Sequence, residues 1–123
     1  MRALVVDDSR AMRVLMTRML KEIGFDVQEA GDGREALTRL REMGEVDIVL
    51  VDWNMPEMDG LEFLRAVRSD RGWDDIRVMM VTTECGMDEV MSALQEGADD
   101  YVMKPFDKEI IREKLILLGV PAA

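Results

Sequence analysis

The sequence predicts an α/β domain, a parallel sheet with helices on both faces, built from five β-α repeats. Three observations carry this reading. Short β-branched runs alternate with segments of helical apolar spacing along the whole chain. The runs "ALVV" (3–6), "DIVLV" (47–51) and "RVMMV" (77–81) lack the polar alternation of a half-exposed strand, as expected of strands covered on both sides. Between successive runs lies a segment long enough for the crossover that parallel strands need.

Taken in order, "ALVV" stops at Asp7-Asp8-Ser9, and Ser9 is a candidate N-cap. Met12, Leu15, Met16, Met19, Leu20 and Ile23 then recur at helical spacing until Gly24. "FDVQEA" (25–30) alternates as a half-buried strand, and Gly31-Asp32-Gly33 turns the chain into a helix with Ala36, Leu37, Leu40 and Met43 on one face. "DIVLV" is the third strand. After Asp59-Gly60 a helix carries Leu61, Leu64 and Val67, and a loop spans 69–75. "RVMMV" leads to Thr82, Thr83 and Glu84. A helix over 88–96, with Val90, Met91 and Leu94, ends at Gly97. "DDYVM" (99–103) is the fifth strand, followed by Lys104-Pro105-Phe106. The last helix follows Asp107 and carries Ile110, Ile111, Lys114, Leu115 and Leu118. The twelve Met residues mostly fall on these apolar faces and read as core filling.

The 123 residues, 48% of them hydrophobic, read as a single domain over 1–123 with no linker. A net charge of −10 repels phosphate backbones and anionic lipid, which argues against nucleic acid and membrane surfaces as partners. One Cys leaves no intrachain disulfide, and the absence of His rules out His-based acid–base or metal chemistry in this chain. No run approaches a membrane span or a signal-peptide core, so a cytoplasmic location is expected.

Parallel strands point the same way, so the residues that follow them gather along one edge, where open α/β sheets bind ligands. Those residues are Asp7 and Asp8, then Asp52, then Thr82 and Thr83, then Lys104. Each alone has an ordinary explanation as cap, β-former or surface charge; their coincidence at equivalent strand ends does not. Clustered carboxylates stay ionised with a cation present, and an oxygen-only donor set suits Mg²⁺. A carboxylate can act as nucleophile toward a phosphoryl group, with an ammonium and a hydroxyl to meet the phosphoryl oxygens.

The motifs "VVDDS", "VDWNMPEMDG", "MVTTE" and "YVMKPF", in this order, resemble the receiver domains of two-component response regulators, in particular the stand-alone CheY-like group. The resemblance spans the chain and implies the flavodoxin-like strand order 2-1-3-4-5. It implies that Asp52 is the phosphoacceptor. Mg²⁺ would be held by Asp8, Asp52 and the backbone carbonyl of Asn54, with Asp7 acting mostly through water. It makes Thr82 the switch hydroxyl, Lys104 the partner of a phosphoryl oxygen through a cis Lys104-Pro105 bond, and Tyr101 the aromatic that turns inward on activation. Asn54 and Glu84 occupy the positions that tune hydrolysis, and together they imply a short-lived phosphorylated state. The implied donor is a histidine kinase. The implied output is a protein-binding surface of the fourth helix, fifth strand and fifth helix, used for chemotaxis and the flagellar switch, with a phosphatase as a further candidate partner. The protein is expected to be a monomer.

That surface departs from the family: "GMDEVM" is acidic and apolar where basic residues are usual, and Leu117-Leu118 stand where a further Lys is expected. It is therefore either read by a different partner or is apolar core at a helix end. With the chain ending at Ala123, no DNA-binding output domain is expected. Two other classes compete. A Mg²⁺-dependent phosphohydrolase would need a second acid–base Asp where Asn54 stands, and a scaffold would need none of Asp8, Asp52, Thr82 and Lys104. A receiver of a non-chemotaxis phosphorelay shares all these motifs.

Overall fold

The structure is a computed structural model and describes residues 1–53, 55, 58–82, 87–104 and 106–120, with the backbone alone at 87–89. Five parallel strands, β1 (Arg2–Val6), β2 (Asp26–Ala30), β3 (Ile48–Asp52), β4 (Arg77–Thr82) and β5 (Asp100–Met103), lie in the order β2-β1-β3-β4-β5. Helices α1 (Arg10–Ile23), α2 (Gly33–Met43), α3 (Gly60–Arg68), α4 (Met87–Gln95) and α5 (Lys108–Leu117) form the crossovers. This is the order that the family resemblance implies.

The central strands explain the lack of alternation. Leu4, Val6, Val49, Val51, Val78 and Met80 pack on one face, with Ala36 and Leu40 of α2, Phe63, Leu64 and Val67 of α3, and Ala93 of α4. The intervening Ala3, Val5, Ile48, Leu50, Met79 and Val81 pack on the other, with Met16 and Leu20 of α1 and Ile111 and Leu115 of α5. A two-residue period with apolar side chains at every position needs cover on both sides.

The helix boundaries follow their caps. Ser9 Oγ accepts the Met12 N–H at 3.3 Å, and Asp32, Asp59 and Asp107 accept the N–H groups of Glu35, Glu62 and Ile110. Asp59 and Glu62 form a reciprocal capping box at α3.

Several expectations need correction. Leu15 lies at helical spacing with the core residues of α1, yet it is exposed, as is Val14. The segment expected as a loop over 69–75 contains a 3-10 helix, Arg71–Trp73, capped by Asp70. Of the described Met residues, Met16, Met79 and Met80 are buried, while Met1, Met91 and Met103 are exposed, so core filling accounts for part of the Met content. The strands also shift: β3 runs through Asp52 and β4 through Thr82, while Asp47 and Asp99 fall before their strands. Leu117 is 81% exposed while Leu118 is half-buried and packs against the core, so core burial explains Leu118 and not Leu117. Among the described residues no helix is long and apolar enough to cross a membrane.

Candidate functional site

Each site residue is placed by a strand end. Asp7 directly follows β1 and is fully buried, and β1 pairs with β3 through Val6 and Val51. That register sets Asp7 beside Asp52, the last residue of β3, which is itself 8% exposed. Asp52 lies opposite Val81, so Thr82 ends β4 one residue further on, buried. Thr82 in turn lies opposite Met103, and its carbonyl accepts the Lys104 N–H at 2.7 Å. The Lys104 side chain reaches back across the edge, with Nζ 3.1 Å from Asp7 Oδ2 and 3.5 Å from Asp52 Oδ1.

Asp8 is exposed, yet carboxylate oxygens of Asp7, Asp8 and Asp52 all lie within 4.8 Å of one another. Two of the three, Asp7 and Asp52, share the Lys104 ammonium. Burial raises the Asp52 carboxyl above the ordinary carboxylate range of 3.8, the Asp7 charge adds to this, and Lys104 opposes it. The Asp52 carboxyl is thus held where ionisation is costly. A divalent cation would relieve this excess of negative charge, and a compact all-oxygen donor set is what Mg²⁺ takes. The residues present fit such an ion.

The backbone around Asp52 is equally constrained. A Cβ at Gly60, the first residue of α3, would collide with the Asp52 carbonyl oxygen, and the Gly60 N–H donates to the Trp53 carbonyl at 3.1 Å. The Trp53 N–H donates to the Val81 carbonyl at 2.9 Å. Asp7 is held by the Ser9 N–H, which donates to its Oδ1 at 2.8 Å.

The edge therefore brings together Asp7, Asp8, Asp52 and Lys104, with Thr82 on the adjacent strand end. Tyr101 stands apart, two residues before the end of β5 and half-buried, with Lys114 Nζ 5.0 Å from its ring centroid and bonded to Asp100 at 3.2 Å. Asn54, Thr83, Glu84 and the Lys104-Pro105 bond expected to be cis lie on or against residues outside the described set. Sequence reasoning missed Arg13, whose Nη1 donates to the Asp7 carbonyl at 2.7 Å. Six residues separate the two, and nothing in the local sequence says that this helix side chain folds back over the preceding turn. A cleft of about 680 Å³ lies elsewhere, along β2 between Lys21 and Met43, and none of Asp7, Asp8 and Asp52 lines it.

The response regulator receiver domain model matches residues 3–116. The chain is 43% identical over 121 residues to the chemotaxis protein CheY1 of Helicobacter pylori, covering 97% of this chain and 98% of that one. It is 44% identical over 116 residues to a chemotaxis protein CheY homolog of Campylobacter jejuni, covering 94% and 89%. Among solved structures, Vibrio cholerae CheY4 superposes with a TM-score of 0.88 at 34% identity, covering 94% and 96%. A chain of the CheX-CheY-BeF₃-Mg²⁺ complex of Borrelia burgdorferi gives 0.88 at 28%, covering 98% and 90%. With the site geometry and these relatives in agreement, the chain belongs to the response regulator receiver domains, the CheY-like phosphoacceptor switches of two-component signalling.

Proposed function

We propose that Asp52 accepts a phosphoryl group from a histidine kinase, and that Asp7, Asp8, Asp52 and the Asn54 carbonyl hold the Mg²⁺ this needs. The observation that carries the reading is the shared edge, where a buried Asp52 faces two other carboxylates and the Lys104 ammonium. An Asp52 carboxylate oxygen attacks phosphorus, the phosphorus–nitrogen bond of the donor phosphohistidine breaks, and the imidazole nitrogen keeps the electron pair. When bound, Mg²⁺ supplies the positive charge that offsets crowding of the carboxylates and of the phosphoryl oxygens.

The protein's own groups do the rest. Lys104 already spans Asp7 and Asp52, so its ammonium is placed to meet a phosphoryl oxygen as negative charge builds there. Thr82 ends the neighbouring strand and offers a hydroxyl donor as the switch. Tyr101, packed against Lys114, is the second switch residue. Asn54 and Glu84 tune loss of the phosphoryl group, so the chain catalyses its own phosphorylation and dephosphorylation and leaves a short-lived signal.

Chemotaxis is the pathway we favour, because relatives at 43–44% identity over nearly the full chain are chemotaxis proteins. The output partner is then the flagellar switch, and the Borrelia complex of CheY with CheX supports a further protein partner. The deciding experiment is labelling by acetyl phosphate with Mg²⁺. The wild type should take up label stoichiometrically and lose it within minutes, and Asp52→Asn should take up none. Equal labelling of the variant refutes the acceptor assignment.

A further inference from the structure

Asp8 is the exposed member of the acidic set, so packing does not hold its carboxylate against Asp7 and Asp52. The backbone turn must do so, and one residue bonds it on both sides of Asp8. The Asp7 carbonyl accepts from Arg13 Nη1 at 2.7 Å, and the Ser9 carbonyl accepts the Arg13 backbone N–H at 3.0 Å. The second bond is an ordinary first-turn bond of α1 and would survive any substitution that keeps the helix. The first belongs to the guanidinium alone. That guanidinium is also fixed from outside the turn, because Nε pairs with Glu29 of β2 at 3.4 Å and the Arg13 side chain is 21% exposed.

We propose that Arg13 is a positioning residue for Asp8, clamping the turn between β1 and α1 so that the exposed carboxylate stays aimed at the Mg²⁺ position. The inference rests on the reading of the acidic edge as a Mg²⁺ site. Two effects of Arg13 oppose one another. As a cation beside a cation site it repels Mg²⁺, so its removal would tighten binding. As a clamp it pre-organises a ligand, so its removal would loosen binding. Glu29 offsets the guanidinium charge and water screens the remainder, whereas the 2.7 Å bond ties the Asp7 carbonyl to α1, a second tie across Asp8 beside the Ser9 N–H bond to Asp7 Oδ1. The clamp is therefore the larger effect.

The test is a Mg²⁺ titration of the full chain, followed by Trp53 fluorescence in a Trp73→Phe background and by calorimetry. Arg13→Gln should raise the apparent Kd about tenfold, the low end of what loss of a residue supporting a metal ligand costs. In an Asp8→Asn background the same change should shift Kd less than twofold, because the ligand it positions is gone. In the metal-free protein, amide exchange at Ser9 should quicken in Arg13→Gln while the thermal midpoint stays close to wild type. Glu29→Gln should reproduce a smaller part of the Kd change. Unchanged or tighter Mg²⁺ binding in Arg13→Gln overturns the proposal, as does an equal loss with and without Asp8. A wild type with no saturable Mg²⁺ response would instead sink the parent reading of the site.

Discussion

At each edge of the sheet a cation is set among carbonyls or carboxylates, Arg68 at one and Lys104 at the other, and the two are used in opposite ways. At the amino edge, Arg68 leaves the end of α3 and donates to the carbonyls of Gly97, Trp73 and Ile76 at 2.9, 3.2 and 2.8 Å and to Asp99 Oδ2 at 2.8 Å. That same oxygen takes the Val78 N–H at 2.8 Å. One guanidinium meets one carboxylate there, and the remaining donors are matched to carbonyls, an arrangement suited to the fixed fork of Arg. At the carboxyl edge, Lys104 serves both Asp7 and Asp52, Asp8 lies beside them, and burial keeps Asp52 reluctant to ionise. A satisfied cluster braces a fold. A cluster with surplus charge of one sign is poised to take up a ligand that balances it.

Substitutions can break this contrast from either side. Lys104→Met should have the largest effect, slowing labelling by acetyl phosphate about 100-fold, the usual cost of losing one preorganised donor to developing charge. Radiolabel incorporation against time measures it, and a rate within threefold of wild type would remove Lys104 from the reaction. Arg68→Met should act on stability instead. Leaving Asp99 and three carbonyls without their donor should cost about 2–3 kcal/mol, or roughly 10 °C in thermal midpoint for a chain of this length. Labelling of the folded protein should stay near wild type, and a selective loss of labelling would erase the distinction between the edges.

A smaller effect of reversed sign sharpens the contrast. Because the folded protein holds the Asp52 carboxyl above 3.8, folding binds a proton as the pH falls, and the stability penalty exists only at higher pH. Without divalent metal, Asp52→Asn should therefore be more stable than wild type at pH 7. The gap should close as the pH falls below 3.8, where wild-type Asp52 is protonated in both states. Circular dichroism melts across pH measure this, and a variant less stable than wild type at pH 7 would contradict it. The smallest change belongs to the α5 surface. Leu117 is 81% exposed, so Leu117→Gln should alter stability by less than about 0.5 kcal/mol, and a larger loss in urea unfolding would mean that this side chain is packed.

The uneven burial of the helices marks where sequence pattern alone was insufficient. Leu15 shares the spacing of Met12 and Met19, but α1 turns Val14 and Leu15 outward while Met16 and Leu20 meet β1 and β3. A helical period says that one face is apolar and leaves open how wide the buried stripe is. Arg71–Trp73 shows the same limit: its Asp70 cap is local, whereas its carbonyl at Trp73 is held by Arg68. Arg68 and Arg13 were both illegible, because Arg68 joins carbonyls of separate segments, Trp73 and Ile76 with Gly97, and Arg13 folds back over the turn before its helix to the Asp7 carbonyl. The acidic edge was legible because strands of one direction must line up their ends, so a list of residues following each apolar run is already a list of neighbours.

What the amino-acid sequence determined by itself was the alternation of covered strands and crossover helices, and with it the gathering of Asp7, Asp8, Asp52, Thr82 and Lys104 along one edge. These are one-dimensional properties, set by period, caps and turn residues. Tertiary structure alone decided that Lys104 spans two carboxylates, that burial raises the Asp52 carboxyl, that Arg13 holds the turn beneath Asp8, and that Leu117 faces solvent. Each of those depends on distances between residues far apart in the chain, and on the water that packing removes from between them.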